Sequence, residues 1–71
     1  MRSIQITTEY VKLQDLLKLA NLVASGGEAK ERIQAGEVTV NGELCTQRGK
    51  KMRPGDVARM DGQDCTPAYA D

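Results

Sequence analysis

The sequence contains no histidine, phenylalanine or tryptophan, and only two cysteines and two tyrosines among its 71 residues. Without histidine, the usual general base beside a nucleophilic cysteine is missing, and neither Cys45 nor Cys65 lies in an activating motif. Two cysteines also cannot supply the four ligands of a closed zinc site within one chain. We therefore expect no catalytic residues, no metal and no cofactor, with both thiols free and used in packing.

Long apolar runs are also missing. No run approaches the ~18 residues of a membrane span, and the first twelve residues lack the apolar centre of a signal peptide. A composition of 39% apolar and 28% charged residues is typical of a globular protein. These features predict one domain over residues 1–71, with its core at about 8–62 and a frayed tail at 67–71. They also predict a cytoplasmic monomer with no membrane partner.

The net charge is zero, but the charge is unevenly distributed. Residues 44–60 carry a net +4, whereas residues 1–43 carry −1 and residues 61–71 carry −3. Four cations, Arg48, Lys50, Lys51 and Arg53, fall within six residues. This segment is either a solvated loop or a phosphate-binding patch, and clustering in an otherwise acidic chain favours the patch. Lys30 and Arg32 would extend it if their helix packs beside the segment.

Two helices are indicated by apolar spacing. Leu13, Leu16, Leu17 and Ala20 follow the i, i+3, i+4, i+7 pattern of a buried helix face. A second helix should begin at Ser25, whose hydroxyl and the Glu28 side chain have capping-box spacing, and end at Gly36.

The start of the second helix, Ser25-Gly26-Gly27, has two interpretations. Free amides at a helix N-terminus attract anions, and two glycines would let a phosphate approach closely. Alternatively, the three residues only form a turn and a cap, and Glu28 competes with a phosphate for the same amides. We keep Ser25, Gly26 and Gly27 as a supporting phosphate contact.

Short strands and tight turns fill the rest of the chain. Ile4 and Ile6 alternate with polar residues, as do Val38 and Val40. Asn41-Gly42 and Asp61-Gly62 are hairpin turn signals, and Arg53-Pro54-Gly55-Asp56 fits a type II turn. The predicted partner strands are Leu44 to Thr46, Val57 to Met60 and Gln63 to Thr66. The resulting fold class is α+β, with two short packed helices on a small, mostly antiparallel sheet.

The scarcity of aromatic residues limits the type of nucleic acid. Tyr10 and Tyr69 lie toward the two ends, so a platform for stacking single-stranded bases is not evident. No helix is dense enough in Arg, Asn and Gln to indicate reading of the DNA major groove. Structured RNA, bound through its backbone and shape, fits the charge pattern best.

A family resemblance rests on two runs, LVASGGEAKERIQAGEVTVNGE (22–43) and RGKKMRPGD (48–56). In this order, SGGEAK, VTVNG and RPGD resemble the αL RNA-binding domain named after the fourth protein of the small ribosomal subunit. The closest resemblance is to its small free-standing bacterial members, the YbcJ-like proteins, over about residues 8–62. Many family members have an arginine near the start of the second helix, where this chain has Gly26 and Gly27.

The resemblance implies a helix-turn-helix-like pair followed by a small sheet, with structured RNA bound across the second helix and the adjoining loop. It places Lys30 and Arg32 on the RNA-facing helix surface, and Arg48, Lys50, Lys51 and Arg53 on the basic loop and strand edge. Ribosomal RNA, transfer RNA or ribosomal particles are the implied partners, in ribosome assembly or translation-associated regulation. The alternatives are a protein-interaction module that docks on an acidic partner, or an accessory RNA-binding subunit of an RNA-modifying enzyme.

Overall fold

The computed structural model describes residues 1–70. The chain forms two helices, α1 (Leu13–Leu19) and α2 (Gly26–Gln34), which pack against each other. It also forms seven strands: β1 (Arg2–Ile6), β2 (Val11–Lys12), β3 (Val38–Val40), β4 (Glu43–Leu44), β5 (Lys51–Met52), β6 (Ala58–Met60) and β7 (Gln63–Tyr69). Helix α1 packs against β2, β5 and β7. Five strands form one sheet in the order β1-β7-β6-β3-β4, and β2 pairs with β5 in a separate antiparallel ribbon. The α+β prediction is confirmed.

Both helices end where a left-handed residue closes the last turn. Gly36, at φ 79°, follows α2, and Asn21, at φ 60°, follows α1. In each helix, the amide of the residue after the left-handed one donates to the carbonyl of the third residue from the helix end. These bonds run from Glu37 to Arg32 and from Leu22 to Leu17. The predicted stop at Gly36 is therefore confirmed.

The three turn predictions are confirmed. Asn41 and Gly42 both have positive φ and join β3 to β4, and Asp61 and Gly62 join β6 to β7 in the same way. Gly55, at φ 97°, occupies the third position of the 53–56 turn, which the bond from the Asp56 amide to the Arg53 carbonyl closes at 2.9 Å.

The predicted frayed tail is wrong over the part that the structure describes. β7 runs to Tyr69 because its far side pairs in parallel with β1, with Ile6 opposite Tyr69. Pro67 is fully buried, and the Ala70 amide donates to the Ile6 carbonyl. The prediction for Asp71 lies outside the described residues. A parallel partner 60 or so residues away along the chain leaves no local signal, so the tail looked unpaired.

Two smaller strand predictions also need correction. The partner strand of β3 stops at Leu44, and Thr46 lies outside it. The residue pattern alone predicts no strand before Arg53, but Lys51 and Met52 form β5. Met52 is buried under this strand and fixes it to the core.

The core lies between the two helices and the inner faces of the strands. Its buried side chains are mainly aliphatic: Leu13, Leu16, Leu17, Ala20, Val23, Ala29, Ile33, Val38, Val40, Met52, Ala58, Met60 and Cys65. Cys45 and Cys65 are free thiols, as predicted. Burial raises the pKa of the Cys65 thiol to about 11, so this side chain stays protonated and serves as a packing residue.

Candidate nucleic-acid interface

The β2–β5 ribbon displays cations on one face. Its register places Val11 opposite Met52 and Lys12 opposite Lys51. Since side chains alternate across a strand, the apolar pair points to the core and the lysine pair points outward. Extending the alternation by one residue brings Tyr10 and Arg53 to the outer face. We term the outer face formed by Tyr10, Lys12, Lys51 and Arg53 the basic ribbon.

Tyr10 contacts both cations of the opposite strand. The Lys51 Nζ lies 5.0 Å from the centroid of the Tyr10 ring, and the Arg53 Cζ lies 5.7 Å from it. Both distances fall within the range of cation–π attraction. The ring thus fixes two of the predicted site residues relative to each other.

The preceding part of the basic segment is fastened to the start of α1. Lys12, the N-cap residue, offers no side-chain cap. Instead, the Leu13 amide donates to the Lys50 carbonyl at 2.8 Å, and the Gln14 amide donates to the Arg48 carbonyl at 3.1 Å. Backbone carbonyls therefore satisfy two of the free helix amides, and the side chains of Arg48 and Lys50 are left exposed to solvent.

The turn that carries Arg53 is braced by Asp56. One carboxylate oxygen accepts from the Arg53 amide at 2.9 Å, and the other accepts from the Asn41 side chain at 3.1 Å. Asn41 in turn accepts from the Val57 amide, so the turns at 41–42 and 53–56 are joined. The bond from the Arg53 amide, with that from Asn41, lowers the pKa of Asp56 below its ordinary value.

Replacing Asp56 by asparagine should lower the free energy of unfolding by about 1 kcal/mol at pH 7, because charge-assisted hydrogen bonds to two donors are weakened. The folded-state pKa lies below the unfolded value, so the wild-type advantage is complete above the unfolded pKa. It is lost as the pH falls through the folded pKa. Urea unfolding of both proteins from pH 7 to pH 3 measures this. A difference that stays constant across this range would contradict the assigned role.

Arg32 is held within the fold. Its Nε lies 2.8 Å from a Glu37 carboxylate oxygen, and its Nη2 lies 2.6 Å from one of Asp61. The bond to Asp61, followed by that to Glu37, raises the pKa of the guanidinium. Two carboxylates compensate this cation and connect the end of α2 to the β6–β7 turn. Unlike the cations of the basic segment, Arg32 therefore has its charge paired within the fold.

The start of α2 is open. Ser25 caps it by accepting from the Glu28 amide at 3.1 Å, as predicted, but the Glu28 carboxylate bonds the Ala24 amide at 2.6 Å and not that of Ser25. A side chain added at Gly26 would meet open space, and one added at Gly27 would only touch the Ser25 hydroxyl. Neither glycine has a positive φ, so the local fold does not require them.

Lys30 is exposed on α2. Among the described residues, no hydrogen bond or ion pair joins it to the 48–53 segment. The structure therefore brings together Arg48, Lys50, Lys51 and Arg53 around the start of α1 and the ribbon, and leaves Lys30 on a separate helix.

Sequence reasoning missed Lys12 and Tyr10. In the sequence, Lys12 stands apart from the cations at 48–53, and Tyr10 lies toward one end of the chain. The available signal was the alternation of Tyr10-Val11-Lys12 and Lys51-Met52-Arg53, in which one apolar residue separates two outward-facing ones. Two such triplets become one face only through pairing across almost forty residues of chain.

Two helices on a mostly antiparallel sheet, beside a ribbon with a cationic outer face, define a small α+β domain of the αL class. The chain belongs to the S4 domain family, whose model matches residues 4–66. It is similar to a Bacillus subtilis (strain 168) protein named "Probable ribosome maturation protein RlbA", with 44% identity over 59 residues, which is 83% of each chain. The family prediction from SGGEAK, VTVNG and RPGD is confirmed. Within residues 1–70, no helix is long and apolar enough to cross a membrane.

Proposed function

We propose that the chain binds structured RNA through the basic ribbon together with Arg48 and Lys50. The main observation that supports this proposal is that these cations are exposed, and that within residues 1–70 none of them forms an ion pair with a carboxylate. Phosphate groups are the ligands that uncompensated Lys and Arg side chains on a rigid support favour.

Contrast within the same chain supports this assignment. Arg32 and Arg59 have their carboxylate partners inside the fold, with Arg59 3.1 Å from Asp64. Lys12 and Lys51, in contrast, stand directly opposite each other with like charges, an arrangement that is unfavourable unless an anion bridges them. The free protein thus carries a local repulsion that a phosphate group would relieve.

The RNA that we propose as the ligand is ribosomal RNA or transfer RNA. The proposed process is ribosome maturation in the cytoplasm, with ribosomal particles as partners. The support is membership of the S4 domain family and the similarity to a protein whose name describes ribosome maturation. The chain acts as a monomer and performs no catalytic step. Lys30 and the open helix start at Ser25, Gly26 and Gly27 supply a second contact in this proposal, and Arg32 positions α2.

Co-sedimentation with bacterial ribosomal particles, before and after nuclease treatment, tests the proposal. The chain should travel with the particles and be released when their RNA is digested. If it stays on the remaining protein, the interface recognises an acidic protein surface, and the RNA proposal is wrong. The Lys18→Glu/Arg59→Glu double variant, which changes charge away from the ribbon, should behave as the wild type does.

A further inference from the structure

Lys51 and Arg53 are held in a way that differs from Arg32. The partners of Arg32 are two carboxylates, which compensate its charge and occupy its donors. The partner of Lys51 and Arg53 is the neutral ring of Tyr10. A ring face attracts a cation without cancelling its charge, and the N–H groups that point away from the ring remain free to donate.

Restricting the Lys51 and Arg53 side chains before a ligand binds favours the binding of a polyanion. Long Lys and Arg side chains lose much rotamer freedom when a ligand fixes them. If the ring already restricts them in the free protein, less freedom is lost when phosphates bind. The backbone beneath is also fixed, because Met52 is buried between them and Asp56 bonds the Arg53 amide.

We propose that Tyr10 is a positioning residue that presets Lys51 and Arg53 for the phosphate groups of RNA. This inference rests on the proposed function, and assigns the ring a role that is neither base stacking nor core packing. Since the attraction uses the ring face, the hydroxyl is dispensable.

Three variants test the role: Tyr10→Leu, Tyr10→Phe and, as a matched control, Tyr69→Leu. Tyr69 is the second tyrosine, is more than half exposed, and bonds the Glu9 carbonyl rather than a cation. The probe is refolded bacterial ribosomal RNA. Tyr10→Leu should weaken binding by about 5- to 10-fold, because the freed Lys51 and Arg53 side chains then lose more rotamer freedom when phosphates bind. Tyr10→Phe and Tyr69→Leu should stay within about 2-fold of wild type, since the contacts persist.

The salt dependence separates positioning from phosphate contact. Tyr10→Leu removes no charge, so its slope of log affinity against log salt should equal that of the wild type. Lys51→Gln should make the slope shallower by about 0.7 to 0.9. A changed slope in Tyr10→Leu would overturn the positioning role, as would an equal loss of affinity in Tyr10→Phe.

An NMR readout addresses the contact without RNA. Methylene protons of Lys51 and Arg53 should show upfield ring-current shifts in the wild type and in Tyr10→Phe, and lose them in Tyr10→Leu, with the dispersed backbone spectrum retained. If wild type binds RNA and Tyr10→Leu binds equally well, this inference fails and the proposed function stands. If wild type does not bind, both fail, which distinguishes the two outcomes.

Discussion

Replacing both Lys50 and Lys51 by glutamate should weaken binding to refolded ribosomal RNA about 100-fold at 0.1 M salt. Each phosphate contact adds about 0.7 to 0.9 decades of affinity at 0.1 M salt relative to 1 M salt, so losing two removes about 1.5 decades. The two new carboxylates also repel the phosphate groups of the RNA. Filter binding at fixed salt measures the change.

The fold should survive this double substitution. Both side chains are exposed, and the contacts that residue 50 makes to α1 use its backbone carbonyl, which glutamate also has. Circular dichroism should therefore give a wild-type spectrum. The matched control, Lys18→Glu/Arg59→Glu, makes the same change in net charge away from the segment and should reduce affinity far less. Equal losses in the two double variants would mean that overall charge, and not this surface, determines binding.

Leu16→Asp should leave the domain unfolded at 25 °C. Leu16 is fully buried in the core beside Leu13 and Leu17. Truncating a buried leucine costs about 2–5 kcal/mol, and burying a carboxylate without a partner costs several more. A chain of this length has only about 4–10 kcal/mol of stability to lose.

Leu19→Asp is the matched control, because it makes the same substitution in the same helix at a side chain that is 56% exposed. It should cost about 1 kcal/mol, mainly from an acidic charge at the helix C-terminus. Thermal unfolding followed by circular dichroism compares the two variants. A cooperative transition for Leu16→Asp within a few degrees of wild type would show that the helix face is misassigned.

Features whose causes lie within a few residues were predictable from the sequence. The Ser25 cap, the Gly36 stop and the turns at 41–42, 53–56 and 61–62 each depend on one side chain or on one or two residues with positive φ. Such signals survive folding because the distant chain has little effect on them. The helix faces were predictable for the same reason, since one apolar stripe is read along one segment.

Features that depend on distant pairing were not predictable. β2 and β5 have two residues each, so the alternation around them is too short to show which segments pair. Their pairing is what brings Tyr10, Lys12 and Lys51 onto one face. From the sequence, Arg32 is an unpaired cation on a helix surface. Its ion pair with Asp61 was not predictable because Asp61 lies 29 residues away along the chain. The basic segment is therefore evident from the sequence. The fold determines which cations are exposed without a carboxylate partner and which form ion pairs.

The slope of log affinity against log salt, measured for the wild-type chain with refolded ribosomal RNA, tests the account most directly. Six phosphate contacts, from Lys12, Lys30, Arg48, Lys50, Lys51 and Arg53, predict a slope of about −4 to −5. A slope near zero would contradict it, because RNA bound without counterion release is not bound through this cationic surface.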